Sequence, residues 1–267
     1  MILSLPAAGQ TAGVSESPRQ LLDRLIRLNS EAAALTNNGA RLPQAEAMLR
    51  EALSIADRII APGDRGFGDL LANLGKNLNA QDRPSEAETY LRHALAIRTR
   101  VFGLKSVETA DVQSELGLSL YKLRRYDEGC PLFQAMIETR KSVLPANSPE
   151  TAEGYRNTGL CFFQGRRFAE AVAMLQEAAR RDELAHGNGS RELAEDLYGL
   201  GFAHFALERY EDSETAMRQA LAIYQRLGPP QRIVDVMINL ASILDEQGEK
   251  EEAAAWRAKA RTLSQPQ

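Results

Sequence analysis

Asn73-Leu74-Gly75-Lys76-Asn77-Leu78 returns 42 residues later as Glu115-Leu116-Gly117-Leu118-Ser119-Leu120. It returns again as Asn157-Thr158-Gly159-Leu160-Cys161-Phe162 and as Gly199-Leu200-Gly201-Phe202-Ala203-His204. The central glycine keeps its place every time. Other columns share the step: Asp64, Ser106, Ser148 and Ser190; Arg83, Arg125, Arg167 and Arg209; Ala87, Gly129, Ala171 and Ser213. A period of this length means stacked units that share one core, none of which could bury its apolar face alone.

Each unit reads as two helices. After Asp64, suited to an N-cap, Leu70, Leu71, Leu74 and Leu78 fall at helical spacing. Gln81-Asp82-Arg83-Pro84 makes a break, and Ala87, Leu91, Ala94, Leu95 and Ile97 form a second apolar face that Gly103 closes. Ser106 and Ser148-Pro149 open the next units, the latter with proline at the first helical position. No segment alternates with period two for long, so strands are not expected. Glycine inside a helix costs about 1 kcal/mol relative to alanine, so four in register answer a packing need. The missing side chain lets the second helix approach, with the small residues at 87, 129, 171 and 213 facing it.

The columns run past the four clear units. Ala45, Glu46, Ala52 and Leu53 stand one period before Ala87, Glu88, Ala94 and Leu95. Asn239-Leu240-Ala241 repeats Asn73-Leu74-Gly75 after a linker two residues shorter, and residues 251–262 carry the polar side chains of a terminal cap. The expected organisation is a flexible leader 1–17, a single solenoid 18–263 and a tail 264–267. Its pairs fall at about 18–60, 64–102, 106–144, 148–186, 190–227 and 230–263.

Asn73-Leu74-Gly75, Leu78, Ala87, Leu91 and Ala94, with Leu116-Gly117, Leu120, Tyr126 and Phe133, resemble the tetratricopeptide repeat signature. The 42-residue length and the segments 102–110 and 147–152 are similar to its kinesin light chain-like subclass. The resemblance covers about residues 30–263. It implies an all-α fold, a right-handed α-α superhelical solenoid of about six helix pairs. In such a solenoid the first helices line a concave groove that holds a partner's extended or helical peptide. Three positions depart from the pattern. Pro131 falls in the first turns of its helix, Met136 replaces a small residue and should open the third pair, and His204 stands where Leu78, Leu120 and Phe162 stand.

Composition excludes several classes. A net charge of -4 gives no bulk reason for nucleic-acid or membrane partners. No apolar run approaches the ~18 residues of a membrane span. The N-terminus lacks a basic region and is broken at Pro6, which argues against a secretory signal. Two cysteines, Cys130 and Cys161, make no disulfide framework and no CxxC, which favours a reducing, cytoplasmic setting. His93, His186 and His204 lack metal-ligand spacing, and His204 reads as a packed imidazole with one satisfied hydrogen bond. No phosphate loop and no nucleophile–base pairing emerges, so neither an enzyme, a metal nor a cofactor is expected.

The surface columns are more telling. Asp69, Asp111, Glu153, Glu195 and Asp235 form an acidic lip, explicable by helix electrostatics or by a basic partner. The arginines at 83, 125, 167 and 209 read as cations at the ends of first helices, where the dipole favours them, rather than as an anion-binding stripe. Two columns should face the groove: Lys76, Leu118, Leu160, Phe202, Ser242 and Asn79, Tyr121, Phe163, Phe205, Asp245. Each is apolar in the middle three units and polar at both ends. That is the profile of a rimmed binding patch, although gap-filling between adjacent helices would give a similar column. The resemblance further implies that Asn73, Asn157 and Asn239 hold a bound backbone, with Arg156 and Tyr198 nearby. Glu115 and Gly199 interrupt that ladder.

The expected function is a non-catalytic adaptor whose partner peptide carries apolar anchors and some basic residues. The alternatives are a self-associating, homo-oligomeric scaffold, or a peptide or small-molecule sensor module of a larger regulatory system.

Overall fold

The computed structural model describes residues 16–145 and 148–264, so most of the expected leader and the end of the tail lie outside the described residues. These residues form twelve helices in six consecutive pairs and no strand. The pairs are α1 (Pro18–Asn37) with α2 (Leu42–Ile59), α3 (Arg65–Ala80) with α4 (Pro84–Phe102), and α5 (Val107–Lys122) with α6 (Tyr126–Val143). They continue with α7 (Pro149–Gln164) and α8 (Phe168–His186), α9 (Arg191–Phe205) and α10 (Tyr210–Leu227), and α11 (Pro230–Gln247) and α12 (Lys250–Ser264). Each helix packs on the next in the chain, which makes an all-α superhelical repeat.

Local chemistry starts these helices. Ser17 and Gln20 form a reciprocal capping box at α1. The hydroxyls of Ser106, Ser148 and Ser190 accept from the backbone N–H of Thr109, Thr151 and Leu193 at 3.1, 3.3 and 3.2 Å. Asp64 stands at the same place before α3, but its carboxylate makes no capping bond.

The glycine column answers a close approach. A Cβ on Gly75, Gly117, Gly159 or Gly201 would come within 2.4, 3.0, 2.7 or 2.8 Å of Leu91, Phe133, Leu175 or Met217 respectively. The second helix thus inserts one long side chain per unit into the gap the glycine leaves. The small column lies on the glycine's own carbonyl: Ser213 donates to the Gly201 oxygen at 2.7 Å, and a Cβ on Gly129 would sit 3.1 Å from the Gly117 oxygen.

Met136 does not open its pair. It is fully buried, and the space for it comes from Gly154 on α7, whose added Cβ would lie 3.1 Å from the Met136 sulfur. Pro131 sits inside α6, beyond its first turn, so the Asp127 carbonyl loses its helical donor. His204 is buried with its Nδ1 unpaired 3.7 Å from Asp212, without the hydrogen bond expected of it, and burial lowers its pKa.

The cysteine expectation is corrected. Cys130 on α6 and Cys161 on α7 form a buried disulfide across a repeat boundary. They are 31 residues apart in sequence, off the 42-residue beat, and meet because α6 packs on α7. With the pair joined, cysteine usage no longer argues for a reducing compartment.

The arginine column is corrected as well. Arg83, Arg125, Arg167 and Arg209 are N-caps of the second helices α4, α6, α8 and α10, where the dipole disfavours a cation. The residue before each one, Asp82, Arg124, Arg166 or Glu208, turns the chain with a left-handed φ of 58, 59, 61 or 60°. Carboxylates supply the compensation. Arg83, Arg125 and Arg167 bind Glu86, Glu128 and Glu170 at 2.6, 2.7 and 2.6 Å. Arg83 and Arg125 also reach back to Glu46 and Glu88 of the preceding unit at 2.6 and 2.8 Å. Those three charges are spent on structure, which removes most of an anion-binding stripe.

Candidate functional site

The first helices lie side by side and touch directly. The Asn73 amide on α3 donates to Asn29 on α1 at 2.8 Å, and the Asn79 amide donates to the Glu115 carbonyl on α5 at 2.9 Å. Phe163 on α7 and Phe202 on α9 meet at a tilt of 55° with centroids 6.4 Å apart, and the Asn239 amide on α11 donates to the Tyr198 hydroxyl on α9 at 2.9 Å. These contacts join α1 to α3, α3 to α5, α7 to α9 and α9 to α11, and set groove candidates of neighbouring first helices beside one another.

Exposure separates this face from the core. Leu74, Leu116 and Leu200 are at most 8% exposed, whereas Leu160, one residue past Gly159, is 36% exposed. Leu118, Tyr121, Phe163, Tyr198, Phe202 and Phe205 are half-buried, and Lys76 and Ser242 are exposed. Asn79 differs from the expectation: it is buried, and its amide accepts from Ser119 at 2.7 Å besides donating to α5. At the other end Asp245 is paired with Arg257.

The second-column aromatics each lean on the first residue of the following helix. Tyr121 meets Tyr126, Phe163 meets Phe168 and Phe205 meets Tyr210 at centroid distances of 5.7, 5.5 and 5.6 Å. Such edge contacts hold the rings by about 1 kcal/mol each and leave them half-buried. The partners Tyr126, Phe168 and Tyr210 recur every 42 residues, a signal present in the sequence. Ile238, which follows Arg156 and Tyr198 in the same column once the shorter linker is allowed for, is 47% exposed and joins the face. Between α9 and α11, Phe202, Phe205, Met217, Asn239, Ser242 and Ile243 enclose an apolar pocket of about 50 Å³.

Arg156 is turned away from a groove role. Its guanidinium binds Asp182 on α8 and Asp196 on α9, both buried, and lies 3.4 Å from the Glu192 carbonyl. Burial pushes the Asp196 carboxyl up to about 8, against the pull of Arg156 and with the like charge of Asp182 adding to it. In the two preceding units the corresponding cation comes from the second helix instead. Arg98 donates to the Glu108 carbonyl and Arg140 to the Glu150 carbonyl, each at 2.7 Å. The α7–α8 unit keeps the guanidinium at the repeated carbonyl and exchanges the helices that supply charge.

The acidic lip is largely neutralised. Asp69 pairs with Arg98 at 2.9 Å, Asp111 with Arg140 at 3.3 Å and Glu195 with Arg191 at 3.2 Å, while Asp235 accepts from Gln231 at 2.9 Å. Glu153 makes no ion pair among the described residues. Asn157, half-buried, likewise makes no side-chain hydrogen bond among the described residues. Among the described residues no cluster of three metal-ligating side chains occurs, and no helix is long and apolar enough to cross a membrane.

Comparison with known proteins agrees with this architecture. A tetratricopeptide repeat profile matches residues 108–183 and 193–265, and a second one matches residues 68–108. No curated protein is matched. Among solved structures, the kinesin light chain nearly identical TPR-like repeats of Podospora anserina superpose with a TM-score of 0.68 at 16% identity, over 80% of this chain and 100% of that one. BtubC (BKLC) of P. vanneervenii gives 0.65 at 18% identity, over 93% and 91% of the two chains. The apo form of RapI gives 0.76 at 11% identity, over 94% and 67%. At these identities the likeness is one of fold. With the profile spanning more than half of its residues, the chain belongs to the tetratricopeptide repeat family, a fold that serves in general as a protein-interaction scaffold.

Proposed function

We propose that the protein is a non-catalytic adaptor that holds a segment of a partner protein along the face of its first helices. Leu118, Tyr121, Leu160, Phe163, Phe202 and Phe205 form the floor, joined by Ile238. Asn73, Asn157 and Asn239 offer amides to the partner's backbone, since one amide supplies both donor and acceptor. Tyr198 braces Asn239. The observation that carries the proposal is the row of partly exposed apolar side chains on α5, α7 and α9, continued by Ile238 on α11 and flanked by the polar Lys76 at one end and Ser242 at the other. Isolated apolar residues at a surface need no explanation, but a contiguous patch with a polar rim marks an interaction site. In the cytoplasm Cys130 and Cys161 would stand as two buried thiols, and in an oxidising compartment as the disulfide seen here.

Affinity capture followed by mass spectrometry tests the proposal, with wild type set against a Phe163→Ala/Phe205→Ala double variant. The partner should be lost from the variant while far-ultraviolet circular dichroism stays unchanged. Identical captures would move the interface off this face.

A further inference from the structure

Between α3, α5 and α7 the same face opens into a cavity of about 350 Å³, lined in part by Asn73, Lys76, Asp111, Ser114, Glu115 and Glu153. Two arginines reach its wall, but their charges are used. Arg98 binds Asp69 at 2.9 Å and the Glu108 carbonyl at 2.7 Å; Arg140 binds Asp111 at 3.3 Å and the Glu150 carbonyl at 2.7 Å. Glu115, Glu153 and Lys76 remain.

Glu115 occupies the column that elsewhere holds Asn73, Asn157 and Asn239. Its carboxylate accepts from the neutral Asn79 amide at 3.1 Å and makes no ion pair among the described residues. Burial, Glu153 and Asp111 act against its negative charge, while the Asn79 amide favours it and Lys76 is the one cation that does. The cavity thus sets two unpaired carboxylates against one ammonium. The pocket formed by Phe202 and Phe205 at the other end of the face has no charged lining residue. The two ends therefore ask for different chemistry in anything that lies across both.

We propose that the cavity takes a lysine or arginine side chain of the partner segment, while an apolar residue of the same segment fills the Phe202–Phe205 pocket. The inference rests on the groove reading and adds a direction to it, basic toward α3 and apolar toward α11. A cation there converts Glu115 from a half-buried carboxylate hydrogen-bonded only by a neutral amide into one side of a charge-assisted pair. Packed helices lie 8–10 Å apart, so the two sites are separated by roughly 25 Å. An extended chain covers that distance in roughly six to eight residues.

Selection of displayed random dodecapeptides on the folded protein supplies the probe. A recovered peptide and its Lys/Arg→Gln analogue are then measured by fluorescence anisotropy. The expected peptides share a basic residue six to eight positions from a large apolar one. Glu115→Gln/Glu153→Gln should weaken binding roughly tenfold or more, the value of one charge-assisted hydrogen bond, and should leave the Gln analogue's affinity unchanged. Glutamine at 115 can still accept from Asn79, so the double variant should keep its helicity. Peptides that bind without a basic residue, or that ignore the Glu variants yet are lost on Phe202→Ala/Phe205→Ala, overturn the cation pocket and leave the groove standing. If no peptide is recovered, or those recovered ignore both double variants, the groove reading and the pocket fail together.

Discussion

Alanine at the repeat glycines should sort by what its methyl group meets. In Gly75→Ala the new Cβ would lie 2.4 Å from Leu91 Cγ, and in Gly159→Ala it would lie 2.7 Å from Leu175 Cγ and 3.3 Å from the Leu175 backbone nitrogen. Both obstacles are branch points anchored in the core, so the helices must part. In Gly201→Ala the nearest atom is the Met217 Cε at 2.8 Å, the free end of a flexible thioether chain, although Cγ follows at 2.9 Å. Every substitution gains about 1 kcal/mol of helix propensity. Overpacking costs about 1–3 kcal/mol. At Gly75 and Gly159 the upper part of that range applies, leaving a net loss of about 1–2 kcal/mol. At Gly201 the two effects come close to cancelling. Urea denaturation followed by circular dichroism, at equal protein concentration, measures all three. If Gly75→Ala and Gly159→Ala unfold at or above the wild-type midpoint, the glycines are not there for close approach and the packing account is wrong.

Cys130→Ala/Cys161→Ala removes a cross-link closing a 31-residue separation, worth about 3.7 kcal/mol by loop-closure entropy; equal denaturation midpoints for oxidised wild type and the variant would contradict it. Asp196 has a pKa raised from 3.8 to about 8, so the folded chain holds a proton that the unfolded chain releases between those values. Its contribution is complete below 3.8 and is lost as pH rises to about 8, so Asp196→Asn should gain stability relative to wild type across that window and change no further above it. A stability difference that does not change with pH would show that Asp196 titrates normally. Met136→Ala should cost about 2–5 kcal/mol, because Gly154 leaves nothing to fill the space; a loss under 1 kcal/mol in the same denaturation assay would mean the pair is already loose.

The recurrence of Leu-Gly and of the Ala-x-x-x-Leu face made the helix pairs legible, because packing in an array repeats along with its residues. What crossed the repeat was harder to see. Cys130 and Cys161 occupy different columns, and only the seating of α6 on α7 joins them. Arg98 and Arg140 lie 29 residues from Asp69 and Asp111, so the neutralised lip follows from helix geometry rather than from adjacency. The arginine turns were readable in principle. Arg83…Glu86, Arg125…Glu128 and Arg167…Glu170 place a carboxylate three residues after the cation, the spacing of an N-terminal cap, and the left-handed residue before each one moves the helix start forward. On the candidate site, the apolar columns could be placed on one face from their period alone. The departures came from residues without a periodic counterpart: the Arg156 pairing with Asp182 and Asp196, and Glu115 in a column of asparagines.

Site-specific photo-crosslinking tests the central claim most directly. A benzophenone side chain is placed at Leu160 or Ile238 on the first-helix face, or at Leu184, 63% exposed on the second helix α8, and each variant is irradiated in native lysate. The account predicts one shared partner adduct from Leu160 and Ile238, lost in the Phe163→Ala/Phe205→Ala background, and none from Leu184. An adduct formed from Leu184 but from neither groove position would contradict it.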